Sequence, residues 1–217
     1  MSQKHNISVN KTASYYTLGD SKTATTIWFV LHGYGYLAKY FINKFTPILN
    51  DNTCVIAPEA LSKFYLNGVG VDGRVGASWM TKEDRENEII DYINYLNQLF
   101  NTILNENNNP NIKINIVGFS QGGATASRWI SNGNVQVNNF ILWSSVFPDD
   151  MNFEKVNKVN THFLYGNNDE YVTEDRVLKQ QQIIASSEIN INTIVFNGNH
   201  DIPEAVLLEQ TKKNNWA

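Results

Sequence analysis

Strand-sized and helix-sized segments alternate along almost the whole chain, and that rhythm admits few folds. Runs rich in branched and aromatic residues fall at 14–17, 26–31, 54–57, 112–117, 140–144, 161–165 and 191–196. Between most of them, stretches at 37–49, 82–104, 121–130, 174–185 and 202–212 carry apolar residues at roughly helical spacing. Such an order predicts an α/β fold: right-handed crossovers, a mainly parallel twisted sheet and helices on both of its faces. In sheets of this type the loops that do chemistry gather at the carboxyl ends of the strands. A length of 217 residues suits one large domain, 1–217, with the polar stretch 1–11 expected to be a flexible terminus. The asparagine-dense segment 105–110 reads as a plain turn. The segment 60–79 is longer than most connections and mixes Gly68, Gly70, Gly73 and Gly76 with Phe64, Tyr65 and Trp79, as a loop that shapes a site would.

Charge and cysteine content remove several classes of function. The formal net charge is -4 and the lysines are scattered singly, so no basic surface is available to displace phosphate counterions, and nucleic-acid binding is disfavoured. The longest apolar runs are strand-sized, which leaves no integral membrane segment. Met1 to Lys11 has no apolar stretch of the kind a secretory signal needs, so the expected location is cytoplasmic, with a processed precursor as the alternative. The single cysteine, Cys54, cannot form an internal disulfide and reads as a buried structural thiol.

Chemistry concentrates at Gly118-Phe119-Ser120-Gln121-Gly122. The string follows the apolar run of Ile112, Ile114, Ile116 and Val117 and precedes a helical stretch, which places Ser120 on a strand-to-helix elbow as a candidate nucleophile. A serine hydroxyl needs a general base, usually histidine. Of the four histidines, His5 lies in the polar terminus, His162 inside a strand-like run, and His32 just after a strand, where loop scaffolding suits it better. His200 remains, presented by the turn Asn197-Gly198-Asn199 after the last strand-like run. Asp169 leads as the carboxylate that would orient it, with Glu170, Asp149 and Asp150 as rivals; Asp201 reads as a helix N-cap. Negative charge developing on a carbonyl oxygen needs backbone donors, and the N–H groups of Gln121 and Tyr34 are the candidates, Tyr34 alternatively being an ordinary turn residue between glycines. Tyr34, Tyr36, Phe64, Tyr65, Trp79 and Met80 could line an apolar substrate pocket, Phe64 and Tyr65 equally well being core. Arg74 reads as a solvated loop residue ahead of an anion ligand, and no HxxxH or CxxC spacing suggests a metal.

These residues resemble the phospholipase/carboxylesterase family of small α/β-hydrolases, which includes the acyl-protein thioesterases. Six blocks carry the resemblance in order: Leu31-His32-Gly33-Tyr34-Gly35, Ala57-Pro58-Glu59, Ala77-Ser78-Trp79, Gly118-Phe119-Ser120-Gln121-Gly122-Gly123, Gly166-Asn167-Asn168-Asp169 and Gly198-Asn199-His200. It implies a single-domain α/β-hydrolase with Ser120, Asp169 and His200 as triad and the amides of Tyr34 and Gln121 as oxyanion donors. It further implies hydrolysis of a small-molecule carboxylic ester without a cofactor, and leaves the oligomeric state open, a homodimer included. Acyl-protein thioesterase, lysophospholipase and, from another class, a catalytically silent ligand-binding hydrolase fold are the alternatives. Three departures concern substrate choice: Tyr36 follows Gly35 where members commonly have a Gly-Asp pair, Tyr165-Gly166 replaces His-Gly, and Met80-Thr81 replaces an aromatic-acid pair. Tyr36, Trp79 and Met80 are accordingly the expected pocket residues.

Overall fold

The computed structural model describes residues 1–68, 73–187 and 189–217. Its strands are β1 (Tyr15–Leu18), β2 (Thr26–Leu31), β3 (Thr53–Pro58), β4 (Ser62–Tyr65), β5 (Val75–Ser78), β6 (Lys113–Phe119), β7 (Asn139–Trp143), β8 (Asn160–Gly166) and β9 (Ile191–Phe196). Its helices are α1 (Ala38–Phe41), α2 (Arg85–Glu106), α3 (Gln121–Asn132), α4 (Glu174–Ser186) and α5 (Glu204–Lys213). Seven strands form one sheet in the order β1-β3-β2-β6-β7-β8-β9, parallel throughout except for the antiparallel edge strand β1. The strand order runs outward in both directions from the β2/β6 pair, so the topological switch point lies between their carboxyl ends.

Burial on both faces explains the near-continuous apolar strands. Within β2, Ile27, Phe29 and Leu31 point to one core, where α2, α3 and the partly buried Val177 and Ile184 of α4 cover the sheet. Trp28 and Val30 point to the other, covered by α1, the segment after it and α5. Trp216, next to the last residue of the sequence, is fully buried in that second core and meets Trp28 edge to face.

Two local differences from the sequence reading have physical causes. The stretch expected as one helix over 37–49 is a single turn of α1 followed by a 3-10 segment, Ile42–Ile48, that contains Pro47. Proline lacks the amide an α-helix needs and pushes the preceding residue out of helical geometry. The long connection 60–79 contains a hairpin, β4 against β5, in which Lys63 faces Ala77 and Phe64 faces Gly76. Gly70 lies outside the described residues.

Candidate active site

Four loop positions converge at the carboxyl edge of the sheet: after β2, β6, β8 and β9. At the end of β6, Ser120 takes φ 53° and ψ -122°, a conformation that costs an ordinary L-residue about 1–3 kcal/mol. It is held there from both sides. Its N–H donates to the Trp143 carbonyl (3.0 Å), and its carbonyl accepts from Gly123 N–H (2.9 Å) and Ser145 Oγ (2.6 Å). The flanking glycines are required by close approach. A Cβ on Gly118 would stand 2.5 Å from the Gly122 carbonyl oxygen, and one on Gly122 would collide with the backbone of Leu31 and His32.

His200 lies on the loop after β9, its ring between Phe119 (4.9 Å) and Tyr171 (4.6 Å). Its Nδ1 donates to Asp169 Oδ2 at 2.8 Å, which leaves Nε2 without a protein partner among the described residues. Asp169 is buried, and its Oδ1 also accepts the amides of Tyr171 (2.9 Å) and Val172 (3.0 Å). Burial works to raise its pKa. The hydrogen bonds from His200 and the two amides outweigh that and hold the carboxyl below its ordinary value. The Ser144 hydroxyl contributes to the same lowering, although it is fully buried without a partner at normal hydrogen-bond geometry. Ser144 itself has φ 46°, a second strained residue one strand away from Ser120.

The rival groups are placed elsewhere. Asp150 is gripped by Arg128 (2.9 Å) and Arg85 (2.7 Å), Asp149 pairs with Lys179 on the surface, and Glu170 is exposed. His162 is buried and its Nε2 accepts the Trp216 indole N–H at 3.2 Å, while His5 is exposed. His32 is buried with both nitrogens engaged: Nδ1 donates to the Gly33 carbonyl (2.7 Å) and Nε2 accepts Ala60 N–H (3.1 Å). Desolvation lowers its pKa, so it stays a neutral scaffold beneath the loop that carries Tyr34. Asp201 is not a helix cap. Pro203 occupies the N-cap of α5, and the Asp201 carboxylate instead pairs with Lys44 at 2.5 Å while its carbonyl accepts the Trp143 indole.

The loop after β2 closes on the elbow. A Cβ on Gly33 would lie 3.1 Å from the Ser120 Cβ, so Tyr34 and Gln121 flank the serine from β2 and from the first turn of α3. Both amides are left without a protein acceptor among the described residues. A buried carboxylate, Glu59, accepts Ala38 N–H (2.6 Å) and pairs with Lys63 (3.0 Å), tying this loop to the hairpin. The Gln121 side chain accepts Trp79 N–H (3.1 Å) and donates to the Met80 carbonyl (2.8 Å), anchoring the segment after β5.

Of the expected pocket residues, Tyr36 lines a cavity of about 730 Å³ beside the site, with Leu37, Tyr40, Phe41 and Leu66. Trp79 is core: it is fully buried, its ring tilted against His32 at 5.2 Å and its indole N–H donating to the His32 carbonyl (2.8 Å). Met80 is partly buried against the same core. Phe64 packs on Tyr34 with ring centres 5.1 Å apart, and Tyr65 is exposed. The sequence carried no signal for Ser144, Lys44 or the Gln121 side-chain contacts, because each depends on strand neighbours distant along the chain. Among the described residues no three His, Cys, Asp or Glu side chains cluster as metal ligands, and no helix is long and apolar enough to cross a membrane.

The family model described as phospholipase/carboxylesterase matches residues 17–212. No curated protein matches the sequence. Among solved structures, a carboxylesterase from Mesorhizobium loti superposes with a TM-score of 0.72 at 16% identity, over 93% of this chain and 94% of its own. The Bacillus cereus carboxylesterase gives 0.69 at 13% identity over 95% of each chain. Zea mays acyl-protein thioesterase 2 gives 0.68 at 16% identity, over 95% of this chain and 100% of its own. Identities this low speak to the fold alone.

Proposed function

This chain belongs to the phospholipase/carboxylesterase family of α/β-hydrolases, and we propose that it hydrolyses carboxylic esters through an acyl-enzyme on Ser120. The observation that carries the proposal is the His200 Nδ1 to Asp169 bond of 2.8 Å, formed at the same sheet edge as the strained Ser120. In this reading His200 Nε2 takes the Ser120 proton as Oγ attacks the ester carbonyl. Asp169 fixes the tautomer and balances the imidazolium. The amides of Tyr34 and Gln121 receive the oxyanion, the second with help from the positive end of α3. Collapse of the tetrahedral intermediate expels the alcohol, which takes the proton from His200, and leaves Ser120 acylated. A water deprotonated by His200 then releases the acid and restores the serine. A thioester can follow the same path, and paired oxygen and sulfur esters of one acid separate the two substrate classes.

Turnover of 4-nitrophenyl acetate and butyrate by the wild type and Ser120→Ala tests this. The wild type should hydrolyse at least one of them, with Ser120→Ala slower by about 10³-fold or more. Equal rates in the two proteins would remove Ser120 from the chemistry.

A further inference from the structure

The cavity beside Ser120 has an apolar body and a cationic border. Tyr36, Leu37, Phe41, Leu66 and Val75 supply the first, and Lys39, Lys44 and Arg74 the second; among the described residues it is lined by no carboxylate. Its walls connect it to both halves of the site. The Tyr36 ring stacks parallel to Phe119, the residue before Ser120, at 6.0 Å, and Gly35 N–H bonds the Ala77 carbonyl on β5. On the other side Lys44 reaches Asp201, the residue after His200. A molecule in this space therefore lies against the loop that carries Tyr34, and Lys44 ties the cavity's border to the residue after His200.

The charges on its border are not equivalent. Lys44 is already balanced by Asp201 at 2.5 Å. Lys39 stands on the outer turn of α1 with its ammonium 4.6 Å from the Tyr40 ring centre, and no carboxylate lies within ion-pairing distance of it among the described residues. Lys39 thus stands outside any ion pair among the described residues, on a net acidic molecule whose formal charge is -4. An apolar slot bordered by an ammonium outside any ion pair matches a ligand with an apolar stem and a single negative end.

We propose that this cavity selects esters that carry a carboxylate several bonds from the scissile carbonyl, with Lys39 as the anion's partner. The proposal rests on Ser120 being the nucleophile and adds the chemical class of the substrate. Lys39 would act on binding, so the preference should appear chiefly in KM. It should fade in strong salt, since Lys39 is exposed to solvent.

Two substrate pairs differ in one charge: mono-4-nitrophenyl adipate against 4-nitrophenyl hexanoate for the acyl side, and 4-acetoxybenzoate against methyl 4-acetoxybenzoate for the alcohol side. The readout is the ratio of kcat/KM within each pair, which cancels any general loss of activity. In the wild type at low salt at least one ratio should favour the anion by about threefold to tenfold, and Lys39→Glu should invert it. Ratios of one or below in both pairs, or a preference that Lys39→Glu leaves in place, would overturn the assignment. A second arm separates it from the esterase reading: calorimetric binding of monomethyl adipate and dimethyl adipate to Ser120→Ala. If the wild type hydrolyses nothing but Ser120→Ala binds the monoanion more tightly in a Lys39-dependent way, the catalytic reading fails and the anion site stands. Equal binding of the two adipates refutes the anion site whatever the catalytic result.

Discussion

At the scale of single residues, the site depends on groups whose neighbours fix their protonation. Asp169 Oδ1 takes the two amides of Tyr171 and Val172, and its Oδ2 takes His200, so Asp169→Asn can keep the loop while presenting an N–H where the imidazole needs an acceptor. The variant should fold as the wild type does and lose about 10³- to 10⁴-fold in kcat against 4-nitrophenyl esters, read beside thermal denaturation. His162 gives a different kind of test. Burial pushes its pKa down to about 4, while the unfolded chain titrates near the ordinary 6.5. The folded state therefore favours the neutral ring, so its contribution to stability is intact above pH 6.5 and is lost as pH falls from 6.5 towards 4. Urea unfolding between pH 7 and 4 should show a decline of up to about 3 kcal/mol that is absent in His162→Gln. The roles of these residues differed in how visible they were. His200 stood out in the sequence by elimination among four histidines, and Asp169 by its place after a strand. Ser144 and Lys44 left no trace, since a buried hydroxyl near a carboxylate and an ion pair spanning 157 positions exist only once the sheet has formed.

At the scale of elements, the long apolar strands and the helices α2 and α3 were legible because burial on both sheet faces writes itself as composition, and one-sided burial as helical spacing. The β4/β5 hairpin was not. Its strands have four residues each, half-exposed in β4, and Gly76 interrupts β5, so neither period nor propensity marks them. The segment after α1 was misread as helix because its apolar spacing is helical, and only Pro47 argues against it. The elbow is the element on which most depends. Gly122 packs directly under the end of β2, where a methyl group would meet the carbonyl oxygens of Leu31 and His32 rather than a movable side chain. Gly122→Ala should cost about 1–3 kcal/mol in stability and, by pushing the Tyr34 loop away from Ser120, cut kcat more than it raises KM; urea titration and steady-state kinetics check both.

At the scale of the whole molecule, a parallel sheet solves the problem of assembling a site from distant sequence. Every crossover returns the chain to the same edge, so the loops after β2, β6, β8 and β9 deliver Tyr34, Ser120, Asp169 and His200 to one place. The switch point between β2 and β6 opens room there, and the Ser120 elbow and the Tyr34 loop are the two segments that flank it. The family's fold was readable from the alternation and its six motif blocks, whereas the cavity beside the site was not, because its walls come from a one-turn helix and a hairpin. The central claim is that this assembly activates Ser120 and no other hydroxyl. Mass spectrometry after exposure to a fluorophosphonate measures that directly. One phosphonyl group should add to the protein, on the peptide that contains Ser120, and labelling should slow by orders of magnitude in His200→Ala. A folded wild type that takes no label, or takes it at another serine, would contradict the account.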